Sequence, residues 1–260
     1  MINANALQPV VTEPVKAMEM LLKGSRYSKI EYSQGAATVP EAVEELAYRM
    51  FLMDAEIKGI IKEIRILFDS NEDSFHFDLK GFSKESKYRI VRLFRDMYGI
   101  VTEMFYNAEC DTLNGKLSLN TRAHKFIDGQ YLEIGIKKAV LDILTQFSKV
   151  HGKEFNLYSN VMVYDENGII RNEFDLVIEN ASDSIIYLLE VKSEKDFRDS
   201  DKLSNIGKEY GIAPNRLFLI DNHKSHKAVA QLEYFTGYHW TNLESNSLQS
   251  KVTAMLENDL

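Results

Sequence analysis

The stretch from Gln130 to Lys192 constrains this chain most, because it sets acids inside apolar runs of strand period. One run reads Arg171-Asn172-Glu173-Phe174-Asp175-Leu176-Val177-Ile178, and the next Ile185-Ile186-Tyr187-Leu188-Leu189-Glu190-Val191-Lys192. Side chains alternate along a strand, so Glu190 and Lys192 project together while Leu189 and Val191 project the other way. Glu173 and Asp175 share a face by the same rule. Ahead of these runs, Leu132, Ile136, Ala139, Val140, Ile143, Phe147 and Val150 recur at helical spacing, ending at His151-Gly152. Glu133 borders that stripe. An acid followed two residues later by a lysine, beside a strand presenting an Asp, is a candidate divalent-metal site.

The rest of the chain sets the context. Its 260 residues are 45% hydrophobic and 27% charged, ordinary for a globular protein with a sizeable core. A net charge of −8 argues against a generally basic nucleic-acid binder. A local cationic strip with bound metal can still overcome that total. Cys110 is the only cysteine, which excludes an intrachain disulfide and a cysteine zinc cage and fits a reducing cytoplasm. No apolar run reaches the roughly 18 to 20 residues of a membrane helix, and Met1–Pro9 lacks signal-peptide character. The expectation is a soluble cytoplasmic protein.

Local patterns divide the chain at about residue 120, into an α+β N-terminal region (1–120) and a second domain (121–260). In the first, helices are expected over Glu13–Leu22, from Thr38-Val39-Pro40-Glu41 to Ala55, and over Ser83–Tyr98. A loop is expected at Ser33-Gln34-Gly35-Ala36-Ala37. Strands are expected at Ile61–Phe68, Ser74–Leu79, Ile100–Phe105 and Lys116–Asn120, with Leu113-Asn114-Gly115 as a turn. In the second, a strand at Leu157–Tyr164 meets the hairpin signal Asp165-Glu166-Asn167-Gly168. Ile169–Ile178 and Ser184–Lys192 follow. A helix capped by Asp199 or Ser200 then runs to Tyr210-Gly211, and Arg216–Asp221 forms a strand parallel to the third. Lys227–Phe235 and the tail from Ser245 to Leu256 read as helices.

The resulting order, α-β-β-β-α-β with acids on the helix and on the second and third strands, resembles the PD-(D/E)XK restriction-endonuclease-like superfamily. Within it, the chain looks most like the nuclease domains of CRISPR ancillary nucleases activated by cyclic oligoadenylates. The resemblance covers about residues 128–222 and rests on Asp128-Gly129-Gln130-Tyr131-Leu132-Glu133, Asn172-Glu173-Phe174-Asp175 and Leu189-Glu190-Val191-Lys192. Gln130-Tyr131 stands where that group carries a small residue and Trp. Its Rossmann-like sensor is not recognisable in residues 1–120. The resemblance implies an α/β fold with a mixed sheet, and a metal-dependent nuclease, a phosphodiester hydrolase acting on DNA or RNA in defence against mobile elements. It also implies a homodimer and a cyclic oligonucleotide activator.

On that reading the residue types have a chemical reason. Asp175 and Glu190, with the Val191 carbonyl, are hard oxygen ligands for Mg²⁺ or Mn²⁺. Lys192 beside them orients water and stabilises charge developing in the transition state. Glu133 would hold a second metal or a metal-bound water. Glu173, Asn172 and Lys137 stand as outer or substrate-contacting residues. Each has a blander reading: Glu190-x-Lys192 as a surface ion pair, and Glu133 with Lys137 as an i,i+4 helix pair. An Asp inside an apolar strand is harder to dismiss, since burying an unpaired carboxylate is costly.

Other candidates carry less. His124-Lys125 and Lys137-Lys138 could contact phosphate, although a solvated face explains them as well. His223, His226 and Asp221 have metal-like spacing without further support. His76 is expected to have a local partner. Tyr131, Tyr210, Tyr234, Phe235 and Trp240 are core aromatics or base-stacking surfaces. The alternative to a nuclease is a non-catalytic nucleic-acid-binding or scaffold protein that retains the fold.

Overall fold

The computed structural model describes residues 21, 27–34, 39–192, 200–222, 224–243 and 247–260. Apart from Leu21, the helix expected over Glu13–Leu22 lies outside them, as do Gly35–Ala37, Asp199, His223 and Ser245. The chain is an α/β protein built on two sheets. The larger has six strands in the order β1-β5-β6-β7-β8-β9, with β1 (Tyr27–Gln34), β5 (Phe155–Asp165), β6 (Ile170–Asn180), β7 (Ile185–Lys192), β8 (Leu217–Asp221) and β9 (His239–Thr241). Its first four strands pair antiparallel, while β7–β8 and β8–β9 are parallel, so the sheet is mixed. The smaller is antiparallel in the order β2-β4-β3, from β2 (Ser74–Asp78), β3 (Val101–Asn107) and β4 (Thr112–Leu117). No helix among the described residues is long and apolar enough to cross a membrane.

Helices cover both faces of the larger sheet. On one side lies α5 (Tyr131–His151), packed against α1 (Glu41–Leu52) and α8 (Ser247–Glu257). Leu132, Ile136, Val140 and Ile143 of α5 share a core with Leu157, Leu176, Ile178 and Leu189 of the sheet. On the other side α6 (Ser200–Tyr210) and α7 (His226–Thr236) pack over Tyr158, Phe174, Val177 and Leu188. The α5–α1 contact is close because Gly135 has no side chain: a Cβ there would stand 2.5 Å from Phe51 Cβ. The α5 core continues without a break into the smaller sheet through α2 (Asp54–Ser70) and α3 (Lys84–Arg95), and the short α4 (Thr121–Lys125) precedes α5 in the chain. The strand β1, from the N-terminal side of residue 120, is an edge strand of the larger sheet.

From α5 to β8 the element order is helix, three antiparallel strands, helix and a parallel strand, as the sequence pattern predicts. The hairpin at Asp165–Gly168 forms, with Gly168 at a φ of 74°. Gly152, Gly211 and Gly237 follow α5, α6 and α7 in left-handed conformations, where glycine carries little steric penalty.

Several expectations fail: Ser33-Gln34, expected in a loop, end strand β1, and residues 118–120, expected in a strand, lie beyond the end of β4 at Leu117. Ile61–Phe68 is helical: Ile57, Ile60, Ile61, Ile64 and Phe68 are all buried, a period of 3.6 visible only in the longer window of α2. Leu113-Asn114-Gly115 lies inside β4, where Leu113 is fully buried; the turn falls earlier, with Asp111 at a φ of 53°. Gly115 is needed there for space, since a Cβ would stand 2.1 Å from the Glu103 carbonyl oxygen and 2.5 Å from the Phe75 ring. Strands β1 and β9 were not foreseen.

Candidate functional site

Strands β6 and β7 pair from Asn180↔Ile185 to Leu176↔Leu189, and there the ladder stops. One step further along stand Asp175 and Glu190. The Asp175 carboxylate accepts a hydrogen bond from the Val191 N–H at 2.6 Å, taking the place of the missing ladder partner. Glu190 is buried and accepts from Lys192 Nζ at 2.7 Å. The acid, the backbone amide and the lysine thus form one connected polar end to an otherwise apolar strand pair.

Local irregularity in β5 aims Asp175. Asn172 donates to the Tyr210 hydroxyl at 2.8 Å and Phe174 packs edge-on against the same ring, so both face α6. Glu173 and Asp175 therefore project toward α5, where Glu133 stands. Leu176 lines the same small cavity as Asp175, so strict alternation fails between 175 and 176. Opposite this break is Asn160, between the pairs Ser159↔Leu176 and Val161↔Phe174, with a φ of 52°. A left-handed residue inside a strand bends it and is uncommon outside glycine.

The cavity so formed measures about 110 Å³ and is lined by Gln130, Glu133, Lys137, Ser159, Asn160, Asp175 and Val191, with Ile134 and Leu176. Asp175 is held well above the usual carboxylate range, first by burial and then by the Glu190 charge, against the pull of the Val191 amide and Lys192. Glu133 reaches solvent at the mouth yet is also raised, by the protein around it and by Glu173, with Lys192 opposing. Lys137 is buried, donates to Ser159 Oγ at 3.0 Å, and is lowered by burial against the favourable field of Glu44. The structure therefore draws Glu133, Glu173, Asp175, Glu190, Lys192 and Lys137 into one neighbourhood, and leaves Asn172 on the opposite face of the sheet.

The donor chemistry fits a divalent cation: hard carboxylate oxygens, with Asp175 and Glu133 raised first by burial and then by the neighbouring acids Glu190 and Glu173, a cost that a cation would offset. Among the described residues, no three His, Cys, Asp or Glu side chains close round a single point as they stand. The hydrogen bonds donated by the Val191 N–H and by Lys192 Nζ hold one oxygen each of Asp175 and Glu190.

The other candidates separate by burial. Tyr131, Tyr210 and Trp240 are core residues, while Tyr234 and Phe235 are exposed. His124 stacks on Phe68 and lies 3.4 Å from Asp69; Lys138 lies 3.6 Å from Asp142. His76 contacts Asn114, and Asp221 is buried 3.6 Å from Lys224. Ser159 and Asn160 escaped sequence reasoning, because neither a strand serine nor a strand asparagine has a local signal. A larger groove of about 560 Å³ between α1, α5 and α8 contains none of the clustered acids.

No protein-family profile matches the chain, and no curated protein matches it in sequence. Its fold does have solved counterparts. Can2 from Sulfobacillus thermosulfidooxidans, solved in complex with cyclic tetra-adenylate, superposes with a TM-score of 0.58 at 11% identity, over 94% of this chain and 61% of that one. Protein VC1899 from Vibrio cholerae does so with a TM-score of 0.54 at 16% identity, over 88% and 58%. At such identities the likeness is one of fold, and this chain spans about three-fifths of either protein's length.

Proposed function

We propose that this protein is a divalent-metal-dependent nuclease of the PD-(D/E)XK type, with its site at the divergence of β6 and β7. The observation that carries the reading is the meeting of Asp175, Glu190, Lys192 and Glu133, from three separate elements, beside a cavity with cationic and anionic walls. Asp175 and Glu190, the Val191 carbonyl and Glu133 would hold Mg²⁺ or Mn²⁺. Such an ion, when bound, offsets phosphate charge and supplies hydroxide near neutral pH. Lys192 donates to Glu190 and presents an ammonium group to the charge that develops on the phosphate. Glu173 adds negative field at the same mouth. The shared fold with Can2 adds a candidate switch, because that protein was solved with cyclic tetra-adenylate. A defence role, a homodimer and a boundary near residue 120 belong to the same reading.

A second reading, a non-catalytic protein retaining the fold, is favoured by one observation: Asp175 and Glu190 are already engaged by Val191 and Lys192. Cleavage assays separate the two. Labelled single-stranded DNA, duplex DNA and RNA are incubated with protein in Mn²⁺, Mg²⁺ or EDTA, with and without cyclic tetra-adenylate. The nuclease reading expects metal-dependent cleavage that disappears in Asp175→Ala and in Lys192→Ala. Inactivity under every condition, with no Mn²⁺-induced rise in melting temperature, would sink it.

A further inference from the structure

We infer that the part of the cavity around Lys137, Ser159 and Asn160 is a subsite for a backbone phosphate of a single nucleic-acid strand, with Lys137 its cationic anchor. The inference rests on the nuclease reading for its ligand class and on geometry for its place. Lys137 is over nine-tenths buried, and the bond to Ser159 Oγ gives it a neutral partner for a full charge. A buried ammonium with so weak a partner is costly, and an apolar side chain would fill the same space more cheaply. An arriving oxyanion repays that cost.

Three further features fit the same occupant. Asn160, held in a left-handed conformation in mid-strand, and Gln130 just before α5 line the cavity, and their residue type carries an amide able to donate to phosphate oxygens. Backbone strain of that kind persists where the surroundings impose it and gathers at ligand sites. The volume of about 110 Å³ is far below the roughly 300–1,000 Å³ of whole-ligand pockets. It therefore admits a tetrahedral oxyanion and excludes a nucleoside. Finally, the titratable groups around Lys137 are Glu133, one turn before it on α5, Asp175 of β6 in the same cavity lining, and Glu44 on α1.

The test is binding, kept apart from cleavage. Fluorescence anisotropy of labelled single-stranded DNA and RNA is measured in EDTA, across a salt series, for the full chain. Variants are Lys137→Met, Ser159→Ala, Lys137→Arg and, as control, Lys138→Met, whose partner is the exposed Asp142. Lys137→Met should weaken binding about tenfold and shallow the salt dependence by about 0.7, the share of one phosphate contact on a single strand. Lys137→Arg should recover part of the affinity, Ser159→Ala should lose a smaller part, and Lys138→Met should stay within about twofold. Should Lys137→Met not fold, Ser159→Ala and Lys137→Arg carry the comparison. Equal loss in both lysine variants, or no change in Lys137→Met or Ser159→Ala, overturns the subsite. So does a wild type that binds no strand, or one stabilised by inorganic phosphate alone, which would give the pocket to a free anion. The nuclease reading stands or falls separately, on metal-dependent cleavage in wild type against Asp175→Ala.

Discussion

The two sheets each carry a glutamate–lysine pair, and the pairs behave differently. In the three-stranded sheet Glu103 and Lys116 sit opposite each other in register, 3.5 Å apart, with side chains 67% and 47% exposed. In the six-stranded sheet Glu190 and Lys192 are 2.7 Å apart and 11% and 24% exposed. The first pair is a solvated cross-strand contact, worth little because water already satisfies both charges. The second has helices over both faces of its sheet and a second acid beside it. The same residue types therefore form a shielded pair or a solvated one according to how much water the fold removes around them.

Breaking each pair tests that contrast. Lys192→Met leaves Glu190 buried without its ammonium; about 1–3 kcal/mol of stability should be lost by urea denaturation in EDTA. Metal-dependent cleavage should fall about 100-fold or more. Unchanged stability and activity would make the buried pair no different from the exposed one. Next in size, Gly135→Ala forces α5 off α1 and should cost about 1–3 kcal/mol in the same assay. The helix carrying Glu133 would then shift while its chemistry stays intact. A neutral result would mean that Phe51 yields easily.

A pH series sharpens the comparison further. Asp175 and Glu133 have raised folded pKa values, so between the ordinary carboxylate range and those raised values the folded state binds more protons. In EDTA, the contribution of these two carboxyls to stability is therefore greatest below the ordinary carboxylate pKa. It should fall as pH rises through the raised values, and Asp175→Asn should flatten the slope. A slope of opposite sign, followed by thermal melting, would refute the assignment. The smallest effect belongs to the exposed pair: Glu103→Gln and Lys116→Met should each change stability by no more than about 0.5 kcal/mol and leave cleavage untouched.

Much of this was legible locally. The stripe of α5, the hairpin at Asp165–Gly168, the parallel return of β8 and the acids of β6 and β7 all follow from period and turn chemistry. Where a short window was read alone, it misled. Ile61–Phe68 is rich in β-branched residues, yet Ile57 and Ile60 complete a helical face. Leu113-Asn114-Gly115 has turn residues, yet Leu113 is core and Gly115 makes room for Phe75.

Local pattern is enough to pick out which residues could act: an Asp and a Glu-x-Lys set in apolar strands, and a Glu at the edge of a helical stripe. Tertiary structure alone decided that the β6–β7 ladder ends one step before Asp175. It also bent β5 at Asn160, brought Ser159 to Lys137, and joined β1 to the sheet. The reason is physical. Periodicity and turn preference are properties of neighbouring residues, whereas strand divergence, burial and the field one charge feels from another arise between segments far apart in the chain.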